Sequence, residues 1–595
     1  MRSSLNTPAP VAAAPRSNRR LSIWYGLLIF ILAIFVARLF YLQIIRHDYY
    51  RGQALSDQLR EYIIPAERGV IKAKSGSGQV PLVLNEKRYT LYADPVFIKN
   101  AHEAAAKVAA VMGASAADYE NSMKTQKTRY VVLARRLSEE QKKQITALAL
   151  PGVGTQPQDY RTYPQGSLAA QVLGYVNTEG VGTYGLEQAL NKDLTGRPGK
   201  LKAITDASGV PLAASRDNVQ VSPKSGKDLV LTLDLGMQKQ LETILKQGLD
   251  NVRSTSGSAL IIEADSGAVR AMANYPSYNP AEYFKVSDAQ VFNNAAVSSP
   301  LEVGSVMKTL TISAALDLGV IKPDTTYNDP NQWSLDGHTV TNIEEIGAPG
   351  THSITDILNL SINTGATWTL MQMGGKTGEV TPAARDHWYD YMVNHYRLGQ
   401  PTGIEQGYEA AGSVPKPEEG YALQLTYANT SFGQALSATP LQMAAALASI
   451  LNGGTYYRPT LVDQIIDSAG KAQLQKPEIL RSGVVAAPVG ATLKTMMEYS
   501  VAHHSFKQPF PANFSVGGKT GTAQIANPAG GYYDDRFNGM YLGFVGGDKV
   551  QYVIAVRVNE PHGVKYAGSG AAQPVFGDLA HMLINDFNVT PRSGG

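Results

Sequence analysis

The chain has 595 residues, too many for one hydrophobic core, so at least two domains are expected. Its composition, 44% apolar and 17% charged, is that of a globular protein and excludes extended disorder. A net charge of +3 with no basic-and-aromatic cluster gives no nucleic acid partner, and the absence of cysteine excludes disulfides, thiol catalysis and cysteine-based metal sites.

Residues 1–20 carry Arg2, Arg16, Arg19 and Arg20 and no acid. Leu21–Ala37 follows without a charge, and the apolar stretch continues past Arg38 to Ile45, 25 residues in all. That exceeds the ~20 residues needed to cross a hydrocarbon core, and Arg38 can snorkel to the headgroups. No small-x-small cleavage site ends the run, so it reads as an uncleaved anchor. Four arginines before it favour a tail at 1–20 on the cytoplasmic side, a transmembrane helix at 21–45, and the rest of the chain outside.

From Arg46 to Lys227 strand-like runs such as Arg88–Ile98 alternate with helical ones such as Ala101–Met112. No reactive cluster assembles there, and its charged residues read as a solvated surface. "QVSPKSGKD" at Gln220–Asp228 has linker composition. Beyond it come a short strand, an N-cap aspartate (Asp234) and an amphipathic helix. Two apolar runs around Asp265-Ser266-Gly267 make a hairpin, and a second strand–turn–strand pattern closes the domain near "GGDK". Helical segments lie between (Val306–Leu318, Ser353–Leu360, Pro440–Leu451). The fold class is therefore α+β, with an antiparallel sheet packed against a helical cluster.

Three polar clusters fall in this second half. In "GSVMKTL", Ser305 stands at a helix N-terminus and Lys308 one turn on, on the same face. A lysine can serve as base only if its pKa falls from ~10.4 to ~7, which burial and a neighbouring cation can supply. Taken alone the motif fits a nucleophile or a small polar residue on a buried helix. Ser361-Ile362-Asn363 follows a Ser353/Asp356 capping box, and Thr364-Gly365 reads as a helix interruption, leaving Ser361 and Asn363 on a loop. In "VGGKTGTAQI", Lys519-Thr520-Gly521 resembles the end of a phosphate loop, but Asn513 stands where its first glycine belongs. A glycine-lined strand edge there admits a substrate backbone, with Lys519, Thr520 and Thr522 suited to a carboxylate. The ten histidines are scattered, and the one adjacent pair, His503-His504, points about 100° apart on a helix, a solvated face and a poor chelate, so no metal is expected.

The order of the three clusters, Ser305 to Ser361 over 56 residues and Asn363 to Lys519 over 156, resembles the penicilloyl serine transferases. Further segments narrow the resemblance to class B penicillin-binding proteins, the monofunctional peptidoglycan D,D-transpeptidases. They include "ARLFYLQI", "ERGVI", "RTYPQGSLAAQVLGYV", "GLEQALNKDLTGRPG", "ADSGAVRAMANYPSYNP", "SFGQALSATPLQM" and "AAQPVFGDLA". The chain departs from the family after Arg68-Gly69-Val70-Ile71, at Val303 in place of the usual proline, and in lacking an arginine upstream of the serine.

The resemblance implies a pedestal (dimerisation) domain at 46–227, a transpeptidase domain at 228–586 and a tail at 587–595. It implies Ser305 as nucleophile and Lys308 as its base, with Lys519 lowering the Lys308 pKa. Ser361 would relay a proton and Asn363 would position Lys308 and the substrate amide. Thr520, Gly521 and Thr522 would bind the substrate, with the N–H groups of Ser305 and Thr522 as oxyanion hole. The implied substrates are peptidoglycan stem peptides ending in D-Ala-D-Ala, with β-lactams as covalent mimics and no cofactor. The implied partners are a polytopic membrane glycosyltransferase and other wall-synthesis proteins. "GGYYDDRFNGMYLGFVGGDK" and "VRVNEPHG" look closer to the division branch, with the elongation branch as the alternative. A β-lactamase or sensor and a silent scaffold are the competing readings.

Overall fold

The computed structural model describes residues 19–50, 53, 59–125, 128–204, 219–342 and 349–593, so most of the basic tail, with Arg2 and Arg16, lies outside the described residues. The chain forms two compact units, one of Met1–Ala66 with Arg197–Lys224, the other of Glu67–Gly196 with Ser225–Gly595.

In the first unit α1 (Arg19–Phe40) runs on through Tyr41–Ile45, 27 apolar-rich residues in all. At 1.5 Å per residue this spans ~40 Å, long enough to cross a membrane. The same unit holds a three-stranded antiparallel sheet of Leu59–Ile64, Gly199–Ile204 and Val219–Val221, with Gly199–Ile204 in the middle.

The second unit begins with β1 (Ile71–Ser75) and the long β2 (Gly78–Ala93), which pairs with β3 (Val131–Leu137) and β4 (Val153–Thr162). The helix Ala101–Met112, capped by Asn100, buries Ala104, Ala105 and Val108 against Leu91 and Leu137. The charges of this region are not all solvated, contrary to the sequence reading. Arg68 and Arg161 both converge on the fully buried Glu187, donating from their Nε atoms at 2.7 and 2.8 Å. Isolated arginines in a polar stretch carry no periodic signature, so their burial is invisible before the chain folds.

β5 (Asp228–Asp234) pairs in parallel with β1, so one sheet crosses the boundary expected at 227. Of the linker-like residues before it, those up to Lys224 belong to the first unit and those from Ser225 on to the second, where Gly226 donates to Glu67 and Lys227 to Asp193. Asp234 caps α2 (Leu235–Asn251), accepting from Gly236 and Met237. Then come β6 (Gly257–Glu263) and β7 (Val269–Tyr275), the hairpin expected around Asp265.

A tight turn at Gly304–Val306 opens α3 (Met307–Asp317). The small hairpin β8 (Gln332–Leu335) and β9 (His338–Thr341) precedes α4 (Ile354–Asn359), which carries the Ser353/Asp356 capping box. α5 (Asn363–Gln372) follows at once, so Thr364-Gly365 lies inside a helix and does not break it; Tyr327 and Ile357 pack where a Gly365 side chain would stand. α6 (Pro440–Leu451), β10 (Val462–Ile466, paired to β5), α7 (Ala487–His503) and β11 (Ser515–Ala526) come next, then β12 (Tyr532–Gly546), β13 (Val550–Asn559) and α8 (Gln573–Asp586).

The central sheet is antiparallel in the order β7-β6-β13-β12-β11. Its strands alternate faces: Ala259 and Ile261 meet α2 and α8, whereas Leu260 and Ile262 meet the cluster containing α3, α5 and α6. The almost wholly buried α6 is the central post of that cluster. β11 is left as an edge strand.

Glu187→Gln is expected to leave two buried guanidinium groups facing a neutral amide. Unfolding free energy should fall by about 3–5 kcal/mol, read from a denaturant transition; an unchanged midpoint would refute this role.

Candidate active site

The turn carrying Ser305 exists because Gly304 adopts φ +62°, and a Cβ there would come 2.7 Å from the Thr522 carbonyl oxygen. Glycine thus lets the start of α3 lie directly on the backbone of edge strand β11. Gly521 does the same from the other side, where a side chain would meet the Val303 carbonyl at 2.5 Å.

Lys308, one turn along α3, is wholly buried. Its Nζ lies 3.0 Å from Ser305 Oγ, 2.6 Å from the Ser361 carbonyl oxygen, 3.2 Å from Ser361 Oγ and 2.7 Å from Asn363 Oδ1. Ser361 sits between α4 and α5 with φ +60°, a left-handed conformation that costs a non-glycine residue about 1–3 kcal/mol. That conformation turns both its carbonyl and its hydroxyl onto Lys308. Asn363 is the first residue of α5, not a loop residue, and its Nδ2 donates to the Thr341 carbonyl at 3.2 Å.

Lys519 arrives from β11, opposite Leu542 in the sheet. Its Nζ donates to Ser361 Oγ at 2.9 Å and to the carbonyl and hydroxyl oxygens of Thr520, both at 3.2 Å. The Ser361 hydroxyl therefore bridges two lysine amines. Lys519 is wholly buried, so it acts from beneath the cleft surface, while Thr520 and Thr522 line it. Thr522 Oγ1 accepts from the Gly568 N–H at 2.9 Å, which leaves its own proton for a ligand.

Burial pushes the Lys519 amine down to about 7. Lys308 is pushed well below the ordinary lysine range by burial first and then by the Lys519 charge. The site can thus present a neutral amine beside a serine hydroxyl and a cation one hydroxyl away.

Ser305, Lys308, Ser361, Asn363, Lys519, Thr520, Gly521 and Thr522 come together at the β11 edge of the sheet. Ser305 and Thr522 also line a cleft of about 400 Å³ with Thr341, Asn342, Gln434 and Phe537. Among the described residues no carboxylate lines it, on this side or on the side of Ser361 and Thr520. His504 was hidden from the sequence reading. His503 is exposed, but His504 lies past the end of α7, half-buried in the cleft wall, its Nε2 donating to the Asn359 carbonyl at 3.2 Å. Burial and the Lys519 charge hold its imidazole below its usual pKa.

Known proteins match the chain over most of its length. Residues 257–581 match the penicillin binding protein transpeptidase domain, and residues 63–231 the penicillin-binding protein dimerisation domain. Stage V sporulation protein D of Bacillus subtilis is 29% identical over 579 residues, covering 96% of this chain and 85% of its own length. The peptidoglycan D,D-transpeptidase FtsI of Escherichia coli is 25% identical over 612 residues, covering 99% and 96%. The crystal structure of penicillin binding protein 3 from Mycobacterium tuberculosis, complexed with ampicillin, superposes with a TM-score of 0.65 at 26% identity, over 90% of this chain and 98% of that one.

The buried cation has a stability signature. Lys519 titrates about 7 when folded and 10.5 when unfolded, so its penalty is full below pH 7 and fades as pH rises to 10.5. Lys519→Met should therefore stabilise the protein at pH 7 by roughly 2–4 kcal/mol, and the gain should vanish above pH 10.5. Thermal unfolding of both proteins across pH 6–11 checks this; a pH-independent difference would contradict it.

Proposed function

The chain belongs to the class B penicillin-binding proteins, the serine peptidoglycan D,D-transpeptidases, and from that premise we propose that Ser305 is the nucleophile and Lys308 its base. One observation carries this reading: Lys308 Nζ has two short acceptor contacts, to the Ser361 carbonyl and Asn363 Oδ1, and Ser305 Oγ stands 3.0 Å away in a third direction. A neutral amine donates two N–H bonds to those acceptors and offers its lone pair to the Ser305 hydroxyl.

Ser305 Oγ attacks the carbonyl carbon of the penultimate D-Ala, and its proton passes to Lys308. The oxyanion is held by the N–H groups of Ser305 and Thr522, which Gly304 and Gly521 bring together; each such donor is worth about 3 kcal/mol. The C–N bond then breaks, and the leaving D-Ala amine takes its proton through Ser361 Oγ, which touches both lysines. Thr520 and Thr522 hold the terminal carboxylate over the buried Lys519. The amine of a second stem peptide attacks the ester, forms the cross-link and frees Ser305. The substrate backbone lies along the open edge of β11 as an added strand.

A β-lactam acylates Ser305 in the same way. The pedestal, matched by the penicillin-binding protein dimerisation domain, is the feature that sets this chain apart from a β-lactamase. Residues 228–586 carry the chemistry, and 46–227 form the pedestal. α1 anchors the chain in the cytoplasmic membrane with the basic tail inside, and anchor and pedestal meet a polytopic glycosyltransferase and other wall-synthesis proteins. The "GGYYDDRFNGMYLGFVGGDK" and "VRVNEPHG" segments favour septal synthesis.

Full-length protein incubated with a fluorescent penicillin should take up one stable label, and Ser305→Ala should take up none. Labelling of Ser305→Ala, or rapid loss of label from the wild type, would overturn the assignment. A fluorescent fusion should concentrate at the division site; a uniform side-wall pattern would favour the elongation role instead.

A further inference from the structure

Ile362, the N-cap residue of α5, offers no side-chain hydrogen bond, although Asn363 at the next position must hold Lys308 to within a few tenths of an ångström. The missing cap comes from elsewhere in the chain. Asn342, at the end of β9 and on the rim of the cleft, accepts the Thr364 N–H on its Oδ1 at 3.0 Å. Its Nδ2 in turn donates to Asp329 Oδ2 at 2.9 Å.

Asp329 is 3% exposed, and no ion pair is made to it among the described residues. Four donors satisfy it instead. The Asn331 N–H reaches Oδ1 at 2.8 Å, Tyr327 OH reaches Oδ2 at 3.2 Å, Thr364 Oγ1 lies within 2.9 Å of both oxygens, and Asn342 Nδ2 completes the set. A carboxylate here also faces the positive end of α5. We infer that Asp329 is a positioning residue for the transfer reaction, fixing the amide orientation of Asn342 so that it caps α5 and sets Asn363 against Lys308.

Two of the donors around Asp329, the Asn331 N–H and Asn342 Nδ2, cannot turn into acceptors. An amide nitrogen in place of Oδ1 would face the Asn331 N–H. In place of Oδ2 it would face Asn342 Nδ2, and flipping Asn342 would turn that NH2 onto the Thr364 N–H. Asp329→Asn therefore sets two donors face to face wherever its nitrogen goes. Asn342→Asp in the same chain removes the conflict, because an aspartate at 342 accepts from both the new amide and the Thr364 N–H. The pair of substitutions moves the charge across the hydrogen bond and keeps the cap.

The inference rests on Ser305 being acylated, so wild-type labelling is measured first; if the wild type takes no label, it is the proposed function that fails. With full-length protein in detergent and a fluorescent penicillin, Asp329→Asn should lower the acylation rate constant tenfold or more with little change in the concentration giving half-maximal rate. Asp329→Asn/Asn342→Asp should return to within threefold of wild type. A folded Asp329→Asn protein that acylates at the wild-type rate, or a double variant no faster than the single, would overturn the inference. If Asp329→Asn does not fold, Asn342→Ala at the half-buried rim serves in its place: a comparable loss supports the relay, and unchanged acylation overturns it.

Discussion

Two lysine amines buried within reach of one serine hydroxyl are the constraint on which the rest of this structure turns. Removing two like charges from water and setting them side by side costs several kcal/mol, and the fold offsets it with fixed acceptors. Ser361 presents its carbonyl and hydroxyl, Asn363 its amide oxygen and Thr520 its carbonyl and hydroxyl. What is not offset appears as a depressed proton affinity at both amines, from burial and, at Lys308, also from the Lys519 charge. On the proposed mechanism this gives a base without histidine and leaves the second amine to meet an anionic substrate.

The architecture follows from that need. Three chain segments far apart in sequence must meet within 3 Å, and each is delivered by a rigid element. α3 packs against α5 and α7, the α4–α5 junction is strained at Ser361, and β11 pairs with β12 on one side while α7 and the Gly304 turn pack on it. Leaving β11 unpaired on its outer side is a liability in most sheets. Here the same open edge gives a peptide somewhere to lie. Gly304 and Gly521 let two backbones approach so that their N–H groups can face one bound oxygen.

Much of this was legible because it depends on periodicity and order along the chain. The i, i+3 relation of Ser305 and Lys308, the capping box at Ser353, the two hairpins at the ends of the second half and the 25-residue apolar run are all local patterns. What stayed hidden depends on contacts between distant segments. Thr364-Gly365 read as a helix break because glycine is a poor helix former, yet tertiary packing by Tyr327 and Ile357 decides the matter. His504 read as solvent-facing because only the fold brings Asn359 beside it. The Arg68–Glu187–Arg161 cluster and the Asp329–Asn342–Thr364 relay join residues that no spacing relates.

The protonation state of Lys308 is the central claim, and it can be read directly. Protein carrying 13Cε-labelled lysine, with the two buried signals assigned from Lys308→Ala and Lys519→Ala variants, is titrated by NMR. The Lys308 signal should show a neutral amine at pH 7, and its midpoint should rise when Lys519 is removed. A Lys308 signal that stays protonated up to pH 10, indifferent to Lys519, would contradict the base assignment and with it the reading of the whole site.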